Sequence, residues 1–144
     1  MRALRVVKGV QFKDLRDAGD PAELSRAYSD AGADEIALLD LSASVEGRST
    51  TLDVVETAVS QARVPLTVGG GISSADQAAA LFDLGVAKVS LSTAAFENPG
   101  LITQIASRFG SGRVILSLDA RRDPGTPSGF EVTVRGGSTP TGAD

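Results

Sequence analysis

The sequence contains no cysteine and no histidine. Disulfides, thiolate nucleophiles, Cys/His metal sites and imidazole bases are therefore excluded. Acid–base chemistry falls to carboxylates, lysines or the single tyrosine, Tyr28. There is no tryptophan, and aromatic residues make up 4% of a chain whose net charge is −4. Such a chain lacks the basic surface of a general nucleic-acid binder, and no nucleic-acid partner is expected. No apolar run approaches the roughly 18 residues that a membrane helix requires, so no membrane partner is expected either. Met1-Arg2-Ala3-Leu4-Arg5 has no apolar signal core, so a cytoplasmic location is expected. No constellation of metal ligands is visible, and neither metal nor organic cofactor is called for.

What is present is organised around Val64-Pro65-Leu66-Thr67-Val68-Gly69-Gly70-Gly71-Ile72-Ser73-Ser74. This reads as a short buried strand that stops in three glycines, with a helix just behind. Glycines bring backbone N–H groups within reach of an anion because no Cβ stands in the way. Ser74 with Gln77 three residues on forms a capping box, so a helix dipole points its positive end at the turn. A phosphate fits such a place. A tight strand–helix turn with no ligand accounts for the glycines equally well.

Around this stretch, apolar strands and amphipathic helices alternate. Arg5–Val10 reads as a strand and Gln11–Gly19 as a polar loop. Asp20-Pro21-Ala22-Glu23 starts a helix whose inward stripe is Leu24, Ala27, Tyr28 and Ala31, with Gly32 at its end. Glu35–Leu41 is a strand apolar on both faces. Leu52, Val55, Val59 and Ala62 mark the next helix. After the glycine strand, Ala78, Leu81 and Phe82 line a helix closed by Gly85. Ala87–Thr93 reads as a strand. Asn98-Pro99 opens a helix with Leu101, Ile102, Ile105 and Phe109 inward and Gly110 as its cap. Arg113–Asp119 reads as a strand, Phe130–Arg135 as a hairpin arm pairing back on it, and Gly136–Asp144 as a polar tail. Repeated βαβ units mean a parallel sheet, in either an open doubly wound fold or a barrel. Asp40 and Ser42, Thr67 and the glycines, Ser92 and Thr93, and Asp119 stand at strand C-terminal ends, which share one face in a barrel. A complete (β/α)8 barrel needs about 250 residues. One domain over 1–144, a partial (β/α)8 TIM barrel of parallel strands plus a C-terminal hairpin, is the expected α/β architecture.

Several collinear blocks resemble the cyclase subunit of imidazole glycerol phosphate synthase, a histidine-biosynthesis barrel. They are Val6-Val7-Lys8-Gly9, Leu15–Pro21, Leu39-Asp40-Leu41-Ser42-Ala43-Ser44, Pro65–Ile72, Lys88-Val89-Ser90, Ser92-Thr93-Ala94-Ala95, Asn98-Pro99 with Leu101-Ile102, and Leu118-Asp119-Ala120. The resemblance implies ring closure on a bis-phosphorylated substrate with ammonia from a glutaminase partner. It implies that Asp119 is one of two catalytic aspartates and Lys8 the lysine of the first active-site loop. Gly71 and Thr93 would hold one substrate phosphate, with Asp40 and Thr67 lining the same mouth, and Gly70 and Ser92 beside them are expected to bind the same phosphate. Glu35 and Lys88 would belong to a gate for ammonia.

There are departures. Met1–Leu4 carries no aspartate where the family's first strand has its other catalytic carboxylate. The second phosphate site belongs to sequence beyond Asp144. Ser92 stands where the family usually has asparagine, and Ala87 where it usually has an aspartate on the glutaminase-docking face. The isolated chain is therefore expected to be inactive as a cyclase. Two alternatives stay open: a non-catalytic, self-associating phosphate-binding half-barrel, and the sister phosphoribosyl isomerase of the same pathway. Residue by residue there are plainer readings too. Asp119 could cap a loop, Lys8 and Lys88 could be solvated, and Ser92 and Thr93 could satisfy backbone at strand ends. Tyr28 reads as core.

Overall fold

A strand covered on both faces needs small or apolar residues at every position. Leu66–Gly69 meets that requirement, and all four residues are buried. It is the strand β4 of a computed structural model that describes residues 5–10, 13–41, 43 and 51–144. Ser42, Ser44, Gln11 and Met1–Leu4, named above, lie outside the described residues.

β4 lies in a four-stranded parallel sheet with β3 (Ile36–Leu39), β5 (Lys88–Leu91) and β6 (Val114–Leu116), in the order β3-β4-β5-β6. The spatial order follows the chain order, as in a barrel; a doubly wound sheet reverses at a switch point. Register places Leu38, Val68, Val89 and Val114 side by side. These residues join the core formed with α2 (Leu52–Gln61), α3 (Ala75–Asp83) and α5 (Gly100–Phe109). The alternate positions Ala37, Leu39, Thr67, Gly69, Lys88, Ser90 and Ile115 face the other way.

The helix behind the glycines follows the expected pattern. Ser74 Oγ accepts from the Gln77 amide at 3.2 Å, Ala78, Leu81 and Phe82 are buried, and Gly85 has φ +95°. Gln77 reaches back one residue further than a capping box requires, its Oε1 accepting from the Ser73 amide at 2.7 Å. α5 likewise buries Leu101 and Ile105 and ends at Gly110 with φ +96°.

Other expectations need correcting. α1 (Pro21–Asp30) has the expected Asp20 cap, which accepts from Ala22 N and Glu23 N. Its buried positions are Pro21, Ala22 and Ser25, and Tyr28 is 54% exposed. The inward face is made of small residues because α1 packs on α2, and the Ser29 hydroxyl accepts from Arg63 N just past the end of α2. Ser25 can be buried because its hydroxyl donates to the Pro21 carbonyl at 2.7 Å. In α2 the inward face runs through Val55 and Ala58, and Leu52 is exposed in the first turn.

Lys13–Gly19 is not a loop. It is a strand, β2, paired antiparallel with β1 (Val6–Val10) in a two-stranded sheet separate from the parallel one. Arg5 braces this hairpin through Asp17 at 2.9 and 3.2 Å. The Arg5 hydrogen bond holds the Asp17 carboxyl below its ordinary range, so the pairing acts above the ordinary carboxylate pKa and is lost as pH falls through the lowered value.

β5 stops at Leu91, two residues short of the expected strand end at Thr93, and Thr93–Glu97 forms a short helix, α4. β6 stops at Leu116. Asp119 opens a further strand, β7 (Asp119–Arg122), which pairs antiparallel with β8 (Phe130–Val134). A hairpin forms, but Phe130–Val134 pairs with Asp119–Arg122 and not with the Arg113–Asp119 strand expected, so Asp119 begins a strand of a separate sheet instead of ending a parallel one, and the polar tail adds a third strand, β9 (Thr139–Pro140). Beyond β9, Val132 N donates to the Ala143 carbonyl, and the Asp144 side chain bonds to Ser128 Oγ.

Arg113 ties the helical layer to the start of β5. Its Nη2 donates to the Val86 carbonyl at 2.7 Å and its Nε to the Ala87 carbonyl at 3.1 Å, with the guanidinium 3.8 Å from the Phe82 ring centroid. Hydrogen bonds from a charged donor contribute about 1.5–3 kcal/mol each and a partly desolvated cation–π contact up to about 2. These contributions share one side chain and do not add. Arg113→Ala is expected to lower unfolding free energy by about 2–4 kcal/mol, read from urea denaturation. Arg113→Lys should recover only part, since an ammonium cannot make the same two-carbonyl fork.

Candidate functional site

The C-terminal ends of β3, β4 and β5 meet at one point. The Asp40 amide donates to the Gly69 carbonyl at 2.8 Å, and Gly69 is in register with Ser90. Two of the three glycines are needed for this packing itself. A Cβ on Gly69 would lie 2.8 Å from Leu39 Cδ2 and 2.9 Å from Ser90 Cβ. A Cβ on Gly70 would overlap the Asp40 carbonyl oxygen and lie 2.9 Å from the Asp40 nitrogen. Gly70 and Gly71 have φ of +95° and +73°, conformations that side chains disfavour. The turn then delivers the chain to the N-terminus of α3, whose first-turn Asp76 is ion-paired with Arg108 at 2.8 Å.

Beside the turn, Ser92 and Thr93 link β5 to α4. The Ser92 carbonyl accepts from Ala95 N and Phe96 N, and both residues are half-buried. Thr93 Oγ1 accepts from the backbone amide of Arg135 at 3.0 Å. That bond joins the mouth to the three-stranded sheet. Arg135 follows β8 directly, and in β8 Thr133 stands opposite Asp119. Asp119 is half-buried at the start of β7. Asp40 and Thr67 are 3% and 6% exposed. Thr67 lies on the sheet face opposite the helices, two residues before the first glycine. The structure thus gathers Asp40, Thr67, Gly70, Gly71, Ser92 and Thr93 at adjoining strand ends, with Asp119 linked to them through β8.

Glu35 and Lys88 are also together, at the other end of the strands. Lys88 Nζ lies 2.7 and 2.8 Å from the two Glu35 carboxylate oxygens, across β4. With 31% and 50% of their side chains exposed, the pair adds at most about 1 kcal/mol of stability. Lys8 stands apart. It is exposed on β1, directly opposite Arg16, and no carboxylate among the described residues pairs with either cation.

Arg135 is the residue of this region that sequence reasoning did not single out. The signal available was a charged residue immediately before Gly136-Gly137 at the end of a strand. Among the described residues no group of His, Cys, Asp and Glu side chains could hold a metal ion, and no helix is long and apolar enough to cross a membrane.

Comparison with known proteins decides the family. The family described as histidine biosynthesis protein matches residues 1–144. The chain belongs to that family. It is similar to imidazole glycerol phosphate synthase subunit HisF of Micrococcus luteus, 55% identical over 142 residues, and of Nocardioides sp., 52% over 145. The HisF subunit of Leifsonia xyli is 51% identical over 140 residues. In each case 97% of this chain is covered, but only 55–56% of the relative, so the chain spans about half the length of the curated relatives it matches. Family membership makes the parallel sheet a portion of a (β/α)8 barrel.

Proposed function

We propose that this chain, as one partial-barrel domain, carries the phosphate-binding portion of a cyclase that makes imidazole glycerol phosphate. The observation that carries the reading is that the Gly69-Gly70-Gly71 turn and the Ser92-Thr93 segment follow neighbouring parallel strands whose register ends at Gly69 opposite Ser90. Backbone N–H groups of the turn and the hydroxyls of Ser92 and Thr93 would hold one phosphate of a bis-phosphorylated substrate, without a metal or cofactor. Asp119 would be one of two carboxylates that move protons during ring closure. Lys8 would reach the substrate from the β1–β2 hairpin, and Asp40 and Thr67 would line the mouth. The Glu35–Lys88 pair, at the opposite end of the strands, would gate ammonia delivered by a glutaminase subunit. A cytoplasmic setting suits such a biosynthetic activity.

The phosphate site is tested by titrating ribose 5-phosphate into the chain and following backbone amide resonances. Shifts are expected at Gly70, Gly71, Ser92 and Thr93. Thr93→Val keeps the shape but removes the hydroxyl, and a hydrogen bond to a charged group contributes about 1.5–3 kcal/mol. Affinity should therefore fall roughly 10- to 100-fold. Shifts scattered elsewhere, or an unchanged affinity in Thr93→Val, would refute the assignment.

A further inference from the structure

Among the described residues, Arg135 is the one non-glycine residue with positive φ, at +55°. Two glycines follow it with φ of +65° and +77°, so the chain makes three consecutive left-handed residues. Glycine would adopt the first of these without strain, whereas a long side chain rarely does. Strained residues of this kind concentrate at ligand clamps, where surrounding structure holds them. Here the restraint is visible: the Arg135 amide is bonded to Thr93 Oγ1 at 3.0 Å.

That bond has a chemical consequence. By accepting the amide proton, the Thr93 oxygen uses a lone pair and leaves its own O–H to donate outward. A ligand oxygen bound to Thr93 would then face the residue whose amide orients the hydroxyl. The charge inventory points the same way. Arg5, Arg26, Arg63, Arg108 and Arg121 are each ion-paired with a carboxylate. Arg113 and Arg122 lie over aromatic rings. Arg135 is exposed, and among the described residues its guanidinium has neither kind of partner, a state it shares with Arg16, which stands opposite Lys8 on the β1–β2 hairpin.

We infer that Arg135 is a further anion-binding residue of the Thr93 site: its backbone amide fixes the Thr93 hydroxyl as a donor, and its guanidinium closes on the same phosphate. This rests on the phosphate reading given above. The cationic contact would complement a mouth otherwise made of neutral donors, and a guanidinium fork matches two phosphate oxygens.

The two roles of Arg135 can be separated, because Arg135→Gly keeps the amide and accommodates φ +55° while deleting the guanidinium. Inorganic phosphate and ribose 5-phosphate are titrated into wild type, Arg135→Gly, Arg135→Gln and Thr93→Val over a range of NaCl concentrations, with urea unfolding as the check on folding. Arg135→Gly and Arg135→Gln are each expected to bind roughly tenfold more weakly and with a shallower salt dependence, as fits the loss of one cationic contact. Arg135→Gly should unfold no earlier than wild type. If Thr93→Val weakens binding but both Arg135 variants bind like wild type, the Arg135 proposal falls and the phosphate site stands. If none of the three variants changes binding, the site itself is misplaced and both readings fall. A weakened Arg135→Gly beside an Arg135→Gln that binds like wild type would show that bulk, and not charge, matters, and would also overturn the proposal.

Discussion

Asp119→Asn is expected to abolish cyclase turnover once this segment is joined to the parts of its relatives that lie outside the match. A chimera carrying the first strand and second half of the Micrococcus luteus relative provides the setting, since that relative is 55% identical across this segment. The bare 144-residue chain should show no turnover. The proposed reaction needs proton transfer at two places, and Asp119 is the one carboxylate of this segment proposed to carry it. The chimera should be active with ammonium salts as nitrogen donor. Asparagine preserves the size of Asp119 and the pairing of β7 with β8, but it cannot exchange a proton. Losing a general acid or base costs about 10²–10⁴-fold in rate. The loss should appear in kcat with KM little changed, because among the described residues Asp119 makes no bond to Thr93 and is connected to it through Thr133 and Arg135. Turnover by the bare chain, or a fully active Asp119→Asn chimera, would place the chemistry on another residue.

What could be read from sequence was local. The helix after the glycine turn declared its start at Ser74, its stripe at Ala78, Leu81 and Phe82, and its end at Gly85, because capping and helical periodicity act within a few residues. The parallel strands were legible for the same reason, as short apolar runs between helices. What escaped was set by partners far away in the chain. Lys13–Gly19 is polar and reads as loop, yet the register with β1 and the Arg5–Asp17 pair make it a strand. Thr139–Pro140 joins a sheet only because β8 offers it an edge. Tyr28 is apolar enough for a core, but α1 turns its small residues inward against α2. At the candidate site, the grouping of strand-end residues came from the barrel pattern and the family resemblance, as did the association of Glu35 with Lys88, which meet across 53 positions. Nothing foretold that Arg135 would bond to Thr93 from 42 positions away.

The glycine turn shows the difference most sharply, and it yields the largest expected effect on stability. Three glycines in a row suggested room for an anion, yet at Gly70 the space of the missing side chain is filled by protein backbone. A Cβ there would overlap the Asp40 carbonyl oxygen and stand 2.8 Å from the Asp40 carbonyl carbon. Backbone atoms cannot rotate aside as a side chain can. Making room means pulling the end of β3 away from β4 and breaking the 2.8 Å bond from the Asp40 amide to the Gly69 carbonyl. Overpacking costs about 1–3 kcal/mol and a side chain in the left-handed region about 1–2 more. Gly70→Ala should therefore lower unfolding free energy by about 2–5 kcal/mol, a large share of the ~5–15 kcal/mol typical of a folded domain. Gly32→Ala is the control: its φ is +92°, almost the same as at Gly70, but nothing lies within 4 Å of the added Cβ. It should cost only the conformational part, about 1–2 kcal/mol. Urea unfolding of the two variants side by side measures the difference, which is the cost of the collision with Asp40. Equal losses would mean that the Asp40 segment yields freely, and that the glycine at position 70 is there for its backbone conformation alone.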